Sequence, residues 1–330
     1  MSKAKRNVII ISAVLLAAVT GGVVGGVKYF SHKDEPQLPS DTLVTELTYL
    51  EENLEDWSST VVYNGKTYTL KDDVKTVLFL GIDREADSDY NDVAGGGGCA
   101  DTIMLMFIDE NSKKIDILEI SRDTMTEVDV YNFDRDYLYS GDMQLCLQYS
   151  FSDSASRGSL LMRDTVSELL FNTEIDSYCS LTTKGLMDIV DALGGIKLTF
   201  DQDYSYINSA YTEGATVLLD SAAVDTFIRY RDTSSMGSNS DRMSRQTWFI
   251  QELMDVIKEG NCSITDLYTA AGNELCSDMD AETMAQFSSY TVNSIVTVPG
   301  NYEAGELHDE FYPDMIVLRE LLIGYLYEET

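Results

Sequence analysis

The stretch Thr76-Val-Leu-Phe-Leu-Gly-Ile-Asp-Arg84 decides the fold. Thr76 to Ile82 is a nearly continuous apolar run. That is the pattern of a central strand covered on both faces; a half-solvated strand would alternate. The run ends in Asp83-Arg84. A polar loop holding Gly95 to Gly98 follows, then Ala100-Asp101-Thr102 and a second buried strand, Ile103 to Ile108. A turn at Asp109 to Lys113 leads to a third strand, Lys114 to Ile120, which runs into Ser121-Arg122-Asp123-Thr124. Two strand ends deliver Asp83 and Arg122, and the start of the strand between them delivers Asp101. An antiparallel order would place all three on one sheet edge.

Working outward, strands and helices alternate. Leu160 to Leu170 reads as a helix, Tyr178 to Leu181 as a short strand, and Thr183 to Leu193 as a helix closed by Gly194-Gly195. Ile196 to Phe200 reads as a strand. Ser221 to Thr226 is a short helix capped by Asp220, Ile295 to Val298 a strand, and Tyr312 to Tyr327 the closing helix. Met125 to Ser156 reads as irregular and Tyr-rich. The pattern predicts an α/β domain over residues 75–330, with a mixed central sheet and helices on both faces. Residues 31–74 read as a stalk or accessory piece. They carry Pro36 and Pro39, helical spacing at Leu43, Leu47, Leu50 and Leu54, and a hairpin turn at Asn64-Gly65.

The second informative stretch is Phe227 to Gln246, the densest arginine cluster in a chain of formal net charge -33. Ile228 to Arg231 alternates like a strand and puts Arg229 and Arg231 on one side. A polar loop follows, and then a helix from Arg242 on which Arg242 and Arg245 share a face. Four guanidiniums could converge there on one anion, since their forks match phosphate oxygens and stay charged. The competing reading is pairing with Asp225, Asp232 and Asp241 on a solvated face. On the helix beyond, Met243, Ile250 and Leu253 read as core, and Trp248 and Phe249 as packing or as groove lining.

Composition narrows the function. The acidic excess argues against nucleic acid as a partner. With only His32 and His308, both in polar segments, a histidine triad or a His-rich zinc site is disfavoured. Cys99, Cys146, Cys179, Cys262 and Cys276 show no metal-type spacing. Lys3, Lys5 and Arg6 precede an apolar run from Val8 to Val27, about the 20 residues that span a bilayer. It reads as an uncleaved anchor (residues 8–30) with residues 1–7 in the cytoplasm, because no clean signal-peptide cleavage site follows. The main domain would then lie outside the cell membrane.

Taken together, Val77-Leu-Phe-Leu-Gly-Ile-Asp83-Arg84, Ala100-Asp101-Thr102, Ile120-Ser-Arg122-Asp123-Thr124, Asp191-Ala-Leu-Gly-Gly-Ile196 and Arg229-x-Arg231…Arg242-x-x-Arg245-Gln246 resemble the LytR-CpsA-Psr family of cell-wall ligases. The resemblance implies an αβα domain that takes a polyprenyl-pyrophosphate-linked glycopolymer and transfers it to peptidoglycan. By match to the family motifs, Asp83 and Asp101 would hold Mg2+ (or Mn2+). Arg84, Arg122, Arg229, Arg231, Arg242 and Arg245 would surround the pyrophosphate, with Gln246 in support. Cys99 stands where the family usually has arginine. The general base would be Asp123 or Asp232. Two other functions would use the same residues: a prenyl-phosphate sensor without catalysis, and a pyrophosphatase that releases the glycan to water.

Overall fold

The computed structural model describes residues 59–84, 97–132, 134–231, 238–259, 264–279, 287, 290–305 and 308–330. The expected anchor and the leucine-spaced helix lie outside these residues. Strands are β1 (Thr60–Tyr63), β2 (Lys66–Leu70), β3 (Val74–Asp83), β4 (Cys99–Asp109), β5 (Lys114–Ile120), β6 (Met125–Tyr131), β7 (Tyr137–Gln144), β8 (Ser177–Thr182), β9 (Ile196–Thr199) and β10 (Thr216–Leu219). They continue with β11 (Leu275–Ser277), β12 (Thr291–Thr297), β13 (Gly300–Ala304), β14 (Asp309–Pro313) and β15 (Tyr327–Glu329). Helices are α1 (Ala155–Leu169), α2 (Thr183–Leu193), α3 (Ser221–Arg229), α4 (Ser238–Glu259), α5 (Ile264–Ala271) and α6 (Met315–Leu326).

The central sheet has the order β11-β8-β3-β4-β5-β12. β3 pairs parallel with β8, β5 parallel with β12, and β4 runs against both β3 and β5. The C-terminal ends of β8, β3 and β5 and the N-terminal end of β4 therefore share one edge, as the antiparallel reading required. The continuous apolar runs are explained by two cores. Val77, Phe79, Met104, Met106, Ile117 and Leu181 face one core, closed by residues of α2, α3 and α4. Leu78, Leu80, Ile103, Leu105, Leu118 and Ile120 face the other, closed by residues of α1 and α6. Period-2 alternation turned every second residue to a different apolar layer, so none needed to be polar.

Helix ends follow local chemistry. Thr182 caps α2 by accepting from the Gly185 N–H at 3.1 Å, and Asp220 caps α3 by accepting from the Ala223 N–H at 2.8 Å. α2 stops at Gly194, whose φ of 76° is the left-handed conformation that a Cβ disfavours. The Asn64-Gly65 hairpin forms with Tyr63 opposite Lys66. β2 also pairs with β15, so the segment read as accessory is hydrogen-bonded to the end of the chain.

Two expectations are corrected. Ile228 to Arg231 is not a strand: α3 runs to Arg229, and only Tyr230 turns extended. Asp220 starts a helix whose residues Val224, Phe227 and Ile228 sit on one buried face, and that i, i+3, i+4 spacing outweighs three residues of alternation. Met125 to Ser156 is also regular, forming the β6–β7 hairpin, a 3-10 helix over Leu145–Phe151 and the start of α1. The Gln148 amide accepts from the Asp129 N–H at 2.8 Å and donates to the Asp129 carbonyl at 3.1 Å, standing in for a third strand beside β6.

Candidate functional site

The site begins with an irregularity. Gly81 pairs with Thr102 and Ile82 with Ala100, so Asp101 is the extra residue of a β-bulge. A bulge frees one residue from the ladder and re-aims its side chain. Gly81 is required opposite it, because a Cβ there would lie 2.9 Å from the Thr102 Cβ. One turn of the pairing further on, Asp83 lies opposite Cys99.

Asp101 points at two arginines. Its Oδ1 accepts from Arg122 Nη1, and its Oδ2 accepts from Arg242 Nη1 at 2.9 Å. Asp83 lies 3.3 Å from Arg229, which is also 3.6 Å from Asp225 one helical turn back. The pairing with Asp225 is the one that the acid-pairing reading named. Burial, with the neighbouring Asp101, pushes the Asp83 carboxyl up, against the pull of Arg229, Arg122 and Arg242. Two carboxylates at close quarters repel each other, which is a reason for cations to gather around them.

Arg231 reaches Asp309 at 3.7 Å. Gln144 joins this side of the site, donating to Asp123 Oδ1 at 2.8 Å and to the Asp309 carbonyl at 3.0 Å. Asp123 is only 1% exposed, 3.6 Å from Arg122 Nε, and its Oδ2 is buried without a hydrogen-bond partner. Of the two expected bases, Asp123 is thus buried beside Arg122, and Asp232 lies outside the described residues. Asp309 and Gln144 were missed. They are distant in sequence from the motifs and carry no signal of their own.

Arg245 departs from the expectation. It is 3% exposed, donates to the Phe227 carbonyl at 3.4 Å and to the Tyr230 carbonyl, and stacks over the Tyr230 ring. It clamps the end of α3 to α4 and so fixes where Arg229 emerges. Gln246 has a similar duty, donating to the Ile228 carbonyl at 3.3 Å while its Oε1 accepts from Thr102 at 3.3 Å. Arg84 follows β3 directly, half-buried at the same edge.

A cleft of about 730 Å³, counting its open mouth, starts at Asp83, Asp101, Arg229 and Gln246. Its walls then become apolar: Phe79, Leu181, Leu186, Ile228, Ile250 and Leu253. The sequence had marked Ile250 and Leu253 as core, and no signal marked Leu186 as a wall. Trp248 and Phe249 are elsewhere: Trp248 packs among Phe200, Tyr204 and Phe227, and Phe249 is fully buried.

The family model described as LytR_cpsA_psr family matches residues 45–311. The chain belongs to the LytR_cpsA_psr family. Among its relatives, the polyisoprenyl-teichoic acid–peptidoglycan teichoic acid transferase TagU of Oceanobacillus iheyensis is 29% identical over 221 residues, covering 66% of this chain and 62% of that protein. The protein of the same name in Bacillus subtilis is 26% identical over 224 residues, covering 66% and 64%. The chain thus spans less than two thirds of these relatives. Among solved structures, B. subtilis TagU superposes with a TM-score of 0.55 at 20% identity, covering 78% of this chain and 98% of that one. TagT bound to LI-WTA superposes at 0.56 and 18% identity, covering 77% and 91%. At these identities the likeness is one of fold, and it agrees with the LytR_cpsA_psr assignment.

Proposed function

We propose that this LytR_cpsA_psr chain is a membrane-anchored phosphotransferase that moves a glycopolymer of the teichoic-acid class from a polyprenyl-pyrophosphate carrier to peptidoglycan. The observation that carries this reading is that Asp83, Asp101 and Arg229 line one cleft together with Phe79, Leu186, Ile228, Ile250 and Leu253. A diphosphate esterified to a long alkyl chain needs a charged mouth over a greasy wall, and few other ligands need both. The names of the relatives, transferases of polyisoprenyl-linked teichoic acid, agree with it.

In the proposed reaction the acceptor sugar hydroxyl attacks the phosphorus that carries the glycan. The bond from that phosphorus to the bridging oxygen breaks, and polyprenyl phosphate leaves with that oxygen. The glycan and its phosphate stay on the acceptor, and the hydroxyl proton passes to base. Arg122, Arg229 and Arg242 would hold the phosphate oxygens and neutralise the charge that develops on the leaving group. Arg231 would flank them from the Asp309 side. Phe79, Leu186 and Ile250 would keep the alkyl chain out of water.

Asp83 and Asp101 would hold a divalent cation if their present contacts with Arg122, Arg229 and Arg242 passed to the diphosphate. Asp83 and Asp101 are hard oxygen ligands crowded at one edge, and Mg2+ or Mn2+ binds one or two carboxylates completed by phosphate and water. Such an ion would supply charge neutralisation at the diphosphate when bound. The apolar run at residues 8–30 would hold the domain on the outer face of the cell membrane, near lipid carrier and wall. The test is incubation of the full chain with a polyprenyl-pyrophosphate-linked oligosaccharide, with and without peptidoglycan. Polyprenyl phosphate released only with acceptor supports transfer; equal release without acceptor points to a pyrophosphatase; binding without release points to a sensor.

A further inference from the structure

Cys99 and Cys146 lie together at the edge of the site, outside the set of groups used above. Cys99 is the first residue of β4, opposite Asp83. Cys146 lies in the 3-10 helix and donates its backbone N–H to the Arg122 carbonyl at 3.2 Å. The start of β4 packs on this 3-10 helix, with the Gly97 N–H donating to the Ser150 carbonyl at 3.2 Å, and this brings Cys99 and Cys146 into one neighbourhood from distant parts of the sequence. Cys146 is fully buried, whereas Cys99 is partly exposed. Cys179 and Cys276 offer an internal contrast. Cys276 pairs with Ser180, so neighbouring Cys179 points to the opposite face of the sheet, and the two belong to different cores.

We propose that Cys99 and Cys146 form a redox-active dithiol that is converted to a disulfide by small organic disulfides. The partly exposed Cys99 sulfur attacks the reagent, forming a mixed disulfide and expelling one thiol. The buried Cys146 sulfur then attacks the Cys99 sulfur and expels the second. Two protein S–H bonds and one reagent S–S bond are exchanged for one protein S–S bond and two reagent S–H bonds, so the protons leave on the released thiols. The geometry assigns the order, because only Cys99 can be reached from solvent. The product ties the start of the Asp101 strand to the 3-10 helix, whose Cys146 N–H holds the Arg122 carbonyl. An outward-facing domain, as proposed above, would meet such oxidants, but the chemistry is independent of the transferase reading.

The experiment uses the full chain with oxidised glutathione, thiol blocking and non-reducing peptide mapping by mass spectrometry. The expected result is a Cys99–Cys146 linked peptide as the main product, rising with the ratio of oxidised to reduced glutathione and lost in urea. C146S should retain glutathione on Cys99, and C99S should be modified at Cys146 at least ten-fold more slowly than C146S is at Cys99. The proposal is overturned if the native chain forms no such link, if links to Cys179, Cys262 or Cys276 dominate, or if the same link forms equally in urea. Equal modification rates in the two variants would overturn the order of attack.

Discussion

Asp101 Oδ2 accepts a hydrogen bond from Arg242 Nη1 at 2.9 Å across 141 residues of sequence, while its other oxygen holds Arg122. Side-chain exposures of 12%, 17% and 6% for Asp101, Arg122 and Arg242 put the triad largely out of water. Removing Asp101 takes away the carboxylate that bridges the two guanidiniums and leaves Asp123, 3.6 Å from Arg122, as partial compensation, a loss of up to about 3–5 kcal/mol. D101A is therefore expected to lower unfolding free energy by that order in urea titration, and inorganic pyrophosphate should raise its Tm more than it raises that of the wild type. A change under about 1 kcal/mol, or no difference in the pyrophosphate effect, would show that the arginines are held apart by other means.

Arg122 and Arg229 reach the two carboxylates from different elements, the turn after β5 and the last turn of α3. If they stabilise charge developing on the leaving phosphate, R122A and R229A lose about 100-fold or more in kcat, the scale of one transition-state donor. KM should move much less. A loss confined to KM would assign them to uniform substrate binding.

The apolar wall makes a claim about lipid length. Leu186 lines the cleft and is partly exposed. L186Q should weaken a long-chain polyprenyl substrate by about 10-fold, roughly the 1.4 kcal/mol of a buried aliphatic group. A short-chain analogue should be unaffected. Equal losses for both would move the lipid off this wall.

Glu119 is buried on β5, where it accepts from Thr247 of α4 at 2.7 Å and from Thr297 of β12 at 2.8 Å. Burial pushes its carboxyl above the usual range, against the pull of those two hydroxyls. A raised carboxyl pKa means the folded state binds the proton more tightly, so its contribution to stability is full below the ordinary carboxylate value and is lost as pH rises through the folded value. E119Q keeps the shape and one accepting oxygen without the charge, and its NH2 can donate to the other threonine hydroxyl. It should melt at or above wild type at neutral pH, with the gap closing as pH falls through the raised folded value toward the ordinary carboxylate range. A lower Tm for E119Q at neutral pH would mean the charge is stabilising.

Much of the fold was legible because Thr76 to Ile82 of β3 and Ile103 to Ile108 of β4 are apolar at almost every residue, and two-sided burial explains that. The shared edge was legible too, since Asp83, Asp101 and Arg122 sit where apolar runs start or stop. The bulge that frees Asp101 was not, because the sequence does not show which residue a ladder skips. The Arg229–Arg231 strand failed because three residues of alternation compete poorly with a capped helix whose apolar face is completed by tertiary packing. Arg245 was misread for a related reason. Motif spacing placed it beside Arg242, but spacing does not say that its fork is spent on the Phe227 and Tyr230 carbonyls. Asp309 and Gln144 became visible only when β14 was laid beside the Arg122 turn.

Phosphoryl transfer is the reaction proposed for the charged groups and the apolar cleft that they line. It is tested most directly by giving the full chain a polyprenyl-pyrophosphate-linked oligosaccharide labelled in the glycan-side phosphate, together with peptidoglycan and Mg2+. Label and glycan are expected together on peptidoglycan, one for one with released polyprenyl phosphate, and R122A should reduce this by about 100-fold. Label released as a water-soluble glycan phosphate, or equal transfer by R122A, would contradict it.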